Sequence, residues 1–195
     1  NVVLDKGRTL ESSRRWGEAL SHYEEALREF HDNETLQQRH DLAKLHYSVE
    51  RRYHDQSFLQ SITTLNREQA LALYAELLQK TNTHYVTNPP WRDIAIRGIT
   101  ALDLALTDQD FLKANRLTIT PEQFGHLRQE LRQLLNRRSL QSPSDLVALA
   151  TDTCRLAEVR MGLVPTATTL EFISAAAEGL DDYSSYLTAD QLREV

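Results

Sequence analysis

The chain has 195 residues, 41% of them hydrophobic and 26% charged, with 22 Lys and Arg against 28 Asp and Glu for a net charge of -6. That balance gives no electrostatic reason to bind nucleic acid or an anionic membrane surface, and no apolar run approaches the roughly 20 residues of a membrane span. With 6 Gly and 5 Pro, the composition argues against a turn-rich all-β fold. The length suits one large domain or two small ones, able to bury roughly 70% of the unfolded surface.

In chain order the pattern is helical nearly throughout. Gly7, Trp16, Ala19, Tyr23 and Ala26 stand at the spacing of a helical-hairpin repeat. Gly7 takes the small position where the two helices touch. Ala19 and Ala26 are the small contacts of the second helix, with Trp16 and Tyr23 as its bulky ones. The segment resembles a tetratricopeptide repeat, although His31-Asp32-Asn33 stands where that repeat usually closes with Pro. Leu36 to Tyr53 matches the first helix of a second unit poorly. The expectation is a tetratricopeptide-like module over residues 1–62, with a break near Ser61 to Asn66, and a separate α-helical domain over 63–195.

Asn66 and Gln69 can form a capping box, after which Ala70, Leu71, Tyr74, Leu77, Leu78 and Tyr85 make an apolar stripe at helical spacing. Asn88-Pro89-Pro90 breaks that helix. Trp91 opens the next, whose Ile94, Ile99, Leu102 and Leu106 share a side. Thr120-Pro121-Glu122-Gln123 is a strong start: a Thr cap, Pro at the first helical position, an acid in the first turn. Phe124, Leu127, Leu131, Leu134 and Leu135 mark the buried face behind it. Ser142-Pro143-Ser144-Asp145 repeats the device before a helix that Gly162 ends. Thr168 is the expected cap of another helix, stopped by Gly179, and Thr188 of the last. No segment sustains period-2 alternation, so the expected fold class is all-α: a helical-hairpin module followed by an irregular helical bundle.

The constellations that carry chemistry are thin. Among the seven His, residues 22, 31, 40, 46 and 54 are spaced 9, 9, 6 and 8 apart, without an i, i+4 pair or an HExxH motif. Metal-ligand spacing is specific, so these read as surface or packing histidines. Glu24-Glu25 and Asp181-Asp182 are adjacent pairs and read as solvated, not as an acid/base couple. Arg51-Arg52 and Arg137-Arg138 likewise read as solvated faces. The single Cys154 excludes an internal disulfide and a cysteine-based zinc site; its apolar neighbours read it as a buried small residue. No GxGxxG, P-loop or GxSxG is present. No catalytic residue, cofactor or metal is expected of this chain.

Leu180-Asp181-Asp182-Tyr183-Ser184-Ser185-Tyr186-Leu187-Thr188 is different. A connector with no packing role is usually polar, so Leu180, Tyr183, Tyr186 and Leu187 are expected to bury against something. Ser184 and Ser185 have no His or Lys near in sequence and suit turn hydrogen bonds better than nucleophilic attack. The stretch resembles the "LDPYSSYLTP" signature of C-terminal processing peptidases, also called tail-specific proteases. The text before it is similar to that family's helical region: Tyr85-Val86, Trp91, Gly98 to Leu102, Ala105-Leu106, Phe111-Leu112 and Leu170-Glu171-Phe172. The likeness covers roughly residues 66–195, with Asp182 and Ala189 replacing two prolines of the pattern.

The resemblance implies the helical cap of a Ser–Lys endopeptidase, a serine protease acting outside the cytoplasm, in the periplasm or envelope. The PDZ and protease domains of the same polypeptide are the implied partners. It gives the connector a junction role and no residue a catalytic one, because the nucleophile and its Lys base belong to a core downstream of Val195. Starting at Asn1 without Met and stopping inside an expected helix, the chain reads as a fragment trimmed at both ends. The implied work is assembly, gating of substrate access or recruitment of a partner. The rival reading is an unrelated tetratricopeptide-like adaptor that holds a partner's peptide in a helical groove. A self-contained helical enzyme has no constellation behind it.

Overall fold

A computed structural model describes residues 2–84 and 89–179. Among them the chain is all-α, with no strand: α1 (Val2–Ser12), α2 (Trp16–Glu29), α3 (Glu34–His54), α4 (Gln56–Thr64), α5 (Arg67–His84), α6 (Trp91–Ala105), α7 (Gln109–Ala114), α8 (Pro121–Arg137), α9 (Pro143–Met161) and α10 (Pro165–Glu178). The starts follow local chemistry. Asp55 accepts hydrogen bonds from the Ser57 and Phe58 amides at α4, and Asp108 from the Asp110 and Phe111 amides at α7. Asn66 and Gln69 exchange bonds of 2.9 and 3.0 Å ahead of α5. Thr120 and Gln123 close a full capping box around Pro121. Each such cap satisfies amides that helix geometry leaves orphaned and contributes about 1 kcal/mol. Gly162 ends α9 in the left-handed conformation, φ 70°, which glycine adopts without a Cβ clash.

The chain divides into two compact units, residues 1–52 and 53–195, so the division falls inside α3 and N-terminal to the 62/63 boundary expected from the sequence. In the first unit, α1 and α2 form a helical hairpin across a three-residue turn in which Arg14 takes φ 55°. Leu10, Ala19, Tyr23 and Ala26 pack with Leu36 and Ala43 of α3.

In the second unit the core is built around α10. Every residue from Thr166 to Ala177 is buried, on all sides of the helix. A helix with no exposed face is an interior helix, and α10 is surrounded by α5, α6 and α9, with α4 touching it as well. Its small residues let these neighbours approach closely. Gly98 of α6 faces Phe172 so tightly that a Cβ there would lie 2.6 Å from the ring, and Phe172 meets the Tyr74 ring edge-on at 5.9 Å. Thr166 ties the start of α10 to the carbonyl of Leu65 at 3.0 Å.

Two expectations need correction. Thr168 does not cap α10. The helix begins a turn earlier, at Pro165, with Val164 as an N-cap that makes no side-chain bond; proline's fixed φ suits the first helical position and sets the start by itself. Thr168 is instead fully buried inside the helix. The arginine pairs are not both solvated either. Arg52 is 7% exposed and donates to Ser48 Oγ at 2.7 Å. Arg138 is half-buried and pairs with Asp152.

Candidate functional site

The residues singled out in the sequence fall in two places, one at each end of the chain. At the N-terminal end, the structure brings Gly7, Ala19, Tyr23 and Ala26 together as buried contacts of the α1–α2 hairpin. A Cβ on Gly7 would sit 2.2 Å from the Tyr23 hydroxyl oxygen; the glycine is there because the tyrosine ring lies directly across it. The Tyr23 hydroxyl donates to Glu11 at 2.8 Å, and Glu11 pairs with Arg39 of α3 at 3.0 Å. The polar tip of Tyr23 thereby links all three helices. Burial and the acceptor Glu11 push the Tyr23 phenol up to about 12, so it is a neutral donor at any ordinary pH.

Trp16 is only half-buried. It stacks on His46 with centroids 3.9 Å apart and planes 6° from parallel. The face beside it, lined by Lys6, Leu10, Arg15, Leu20, His22 and Tyr47, encloses about 630 Å³. Glu18 and Glu25 on the same face balance Lys6 and Arg15, and His22 is committed to the Val3 carbonyl at 2.9 Å.

At the other end, the signature residues Leu180, Asp181, Tyr183, Ser184, Ser185, Tyr186 and Leu187 lie outside the described residues. What is described is the element that leads into them. α10 runs through the interior to Gly179, whose amide bonds to the carbonyls of Ala175 and Ala176 at 3.1 and 3.2 Å. Gly179 has φ -91°, so no left-handed turn requires it. A Cβ there would meet Cδ of Arg97 at 2.8 Å, a contact that this exposed, flexible side chain can relieve by moving. The chain therefore enters the signature from a helix held on all sides, past an arginine of α6.

In the sequence Glu171 stands only within Leu170-Glu171-Phe172, which does not disclose its environment. Glu171 is fully buried and accepts a hydrogen bond from the Tyr53 hydroxyl at 3.0 Å. Tyr53 in turn packs edge-on against Phe58 and Phe111, at 5.3 and 5.0 Å. A buried carboxylate is tolerated only when it is hydrogen-bonded or paired. The signal was present: Glu171 is the single charged residue between Pro165 and Ala177. The partner Tyr53, 118 residues away, was not readable.

Chemically, this arrangement orders and holds the second unit's core. Among the described residues no group of three or more His, Cys, Asp or Glu could hold a metal ion. Burial pushes the Cys154 thiol up, and its sulfur sits against Thr169 Oγ1 at 3.3 Å and the Pro165 carbonyl at 3.4 Å. A protonated buried thiol is a packing group, not a nucleophile. Among the described residues no helix is long and apolar enough to cross a membrane. The chain matches no protein-family model, no curated protein and no solved structure.

Proposed function

We propose that the chain is the non-catalytic helical region of a C-terminal processing serine endopeptidase, working outside the cytoplasm in assembly, gating of substrate access or partner recruitment. The observation that carries this reading is the Leu180–Thr188 sequence, LDDYSSYLT, placed directly after Gly179 at the end of α10. Support also comes from the surroundings of that helix. A signature that joins two domains transmits position only if one side of it is fixed, and α10 is fixed by burial from Thr166 to Ala177 and by the Thr166 tie to Leu65. A cap domain of this kind needs rigidity and no reacting groups.

The test is the longer reading frame and its product. This reading expects a PDZ-like stretch after Val195, then a Ser followed some tens of residues later by a Lys. It also expects the full polypeptide to cleave an unstructured protein, with cleavage abolished when that Ser becomes Ala. A stop codon soon after Val195, or further helical repeats, overturns it.

The α1–α2 hairpin supports a second reading, a tetratricopeptide-like module of an unrelated adaptor. It rests on the Gly7–Tyr23 contact and the burial of Ala19 and Ala26, the small-against-large pattern that such hairpins need to stack. Further helical repeats in the reading frame would favour it.

A further inference from the structure

A trough outside both of these places runs between α8 and α9. It encloses about 430 Å³ and is open to solvent along one side. Its floor is aliphatic: Leu134 from α8, with Leu156 and Val159 from α9. Leu134 and Leu156 are half-buried, but Val159 is 73% exposed. Val159 beside Leu134 and Leu156 makes a small aliphatic strip with a polar rim.

The rim decides what such a patch can accept. Glu130 is engaged by Arg160 through two bonds of 2.9 and 2.6 Å. Asp152 is shared between Arg138 and Arg155, the latter at 3.3 Å. Arg137 lines the trough with no ion-pair partner among the described residues. Three arginines, Arg137, Arg155 and Arg160, thus line the trough against two carboxylates, and both carboxylates are already occupied. The trough has surplus positive charge on a chain whose net charge is -6, against the sign of the molecule as a whole. An apolar strip bordered by the uncommitted Arg137, with the exposed Arg155 held to Asp152 only at 3.3 Å, is complementary to an apolar side chain flanked by carboxylates. Guanidinium forks bind carboxylates with directional, bidentate hydrogen bonds.

We propose that the α8–α9 trough docks a short acidic amphipathic segment of a partner protein. One or two apolar side chains of that segment lie against Leu134, Leu156 and Val159, and its carboxylates reach Arg137 and Arg155. The surface serves the recruitment role whether or not the chain belongs to a peptidase, because it rests on the trough alone.

The test uses the 195-residue chain and a fluorescent helical peptide of about 14 residues, with Leu at i, i+3 and i+7 and Glu at the other positions, the spacing of helix-in-groove anchors. The control peptide has Lys in place of every Glu. The expected result is saturable binding of the Glu peptide with amide shifts confined to α8 and α9, weakening as salt rises. Arg137→Glu and Val159→Asp each weaken it at least about fivefold with unchanged melting temperature. The Lys peptide binds Arg137→Glu better than it binds the unaltered chain. No shift in α8 and α9, equal binding of both peptides, or binding indifferent to the two substitutions overturns the proposal. So does sedimentation showing that the trough is covered by a second copy of the chain and that Val159→Asp dissociates the pair.

Discussion

Helices α8 and α10 are the two extremes of this molecule. α8 starts from a complete capping box and a proline, and it buries only Leu127 and Leu131 among its 17 residues. It keeps its solvent side polar and anchors itself by Arg128, which clamps Asp103 of α6 with bonds of 2.7 and 2.8 Å and lies 4.4 Å over the Phe124 ring. α10 has no side-chain cap and no exposed face, being buried from Thr166 to Ala177. The first helix is specified by its own sequence. The second is specified by what surrounds it. Local signals and tertiary packing are alternative ways to fix a helix, and residues of the same type then matter for opposite reasons.

The sharpest break of that comparison is Phe172→Ala. The ring is 1% exposed, between Gly98 and Tyr74, and its loss should destabilise the chain by about 3–5 kcal/mol, read from urea unfolding. A loss under about 1 kcal/mol would mean that α10 is not a packed core element. Gly98→Ala comes next. In an exposed helix the change would gain about 1 kcal/mol of propensity. Here the added methyl meets the Phe172 ring at 2.6 Å, and the expected result is a net loss of about 1–3 kcal/mol.

Tyr53→Phe keeps the ring against Phe58 and Phe111 but removes the donor to buried Glu171. It should cost about 1–3 kcal/mol, with Tm as the measurement. The paired threonines then set the two helices directly against each other. Thr120→Ala removes the α8 cap and should cost about 1 kcal/mol. Thr168→Val should be neutral within about 0.5 kcal/mol or slightly stabilising, because the Thr168 hydroxyl is buried with no hydrogen-bond partner among the described residues. A loss at Thr168 equal to that at Thr120 would restore Thr168 as a cap.

The gentlest perturbation is alkali. Burial pushes the Tyr74 phenol above its ordinary value of 10.0. The folded state therefore holds this proton where the unfolded chain releases it. The stabilisation is full below pH 10 and declines as pH rises from there towards the raised folded value. Tyr74→Phe should flatten that decline while leaving the neutral-pH Tm nearly unchanged.

Much of the candidate hairpin was legible because its signal is local. Gly7, Ala19, Tyr23 and Ala26 alternate small and large at fixed spacings, and the structure places them in one buried contact set. Trp16 fitted the same spacing but is only half-buried, since spacing does not say which bulky residue ends under cover. Asn66, Thr120 and Ser142 were readable as caps because a cap bonds within three residues. Thr168 misled for the same reason: a Thr three residues before a Glu looks like a cap wherever it occurs, while Pro165 had already set the start. Arg52 and Arg138 read as solvated because charge is usually exposed; Arg52 donates to Ser48, one turn away, and Arg138 pairs with Asp152 on another helix.

By itself the amino-acid sequence determined the all-α class, most helix starts and stops, the small-against-large contact of the first hairpin and the LDDYSSYLT stretch on which the proposed function rests. All of these are written in interactions that span one to four residues, or one repeat. Only the tertiary structure decided that α10 lies at the centre of its unit, that Glu171 accepts from Tyr53 inside the core, that Gly179 lies beside Arg97 of α6, and that arginines gather over an aliphatic floor between α8 and α9. Each of those joins side chains far apart in the chain, and burial of apolar area carries no address: it rewards any good packing, and the three-dimensional arrangement selects which residues meet.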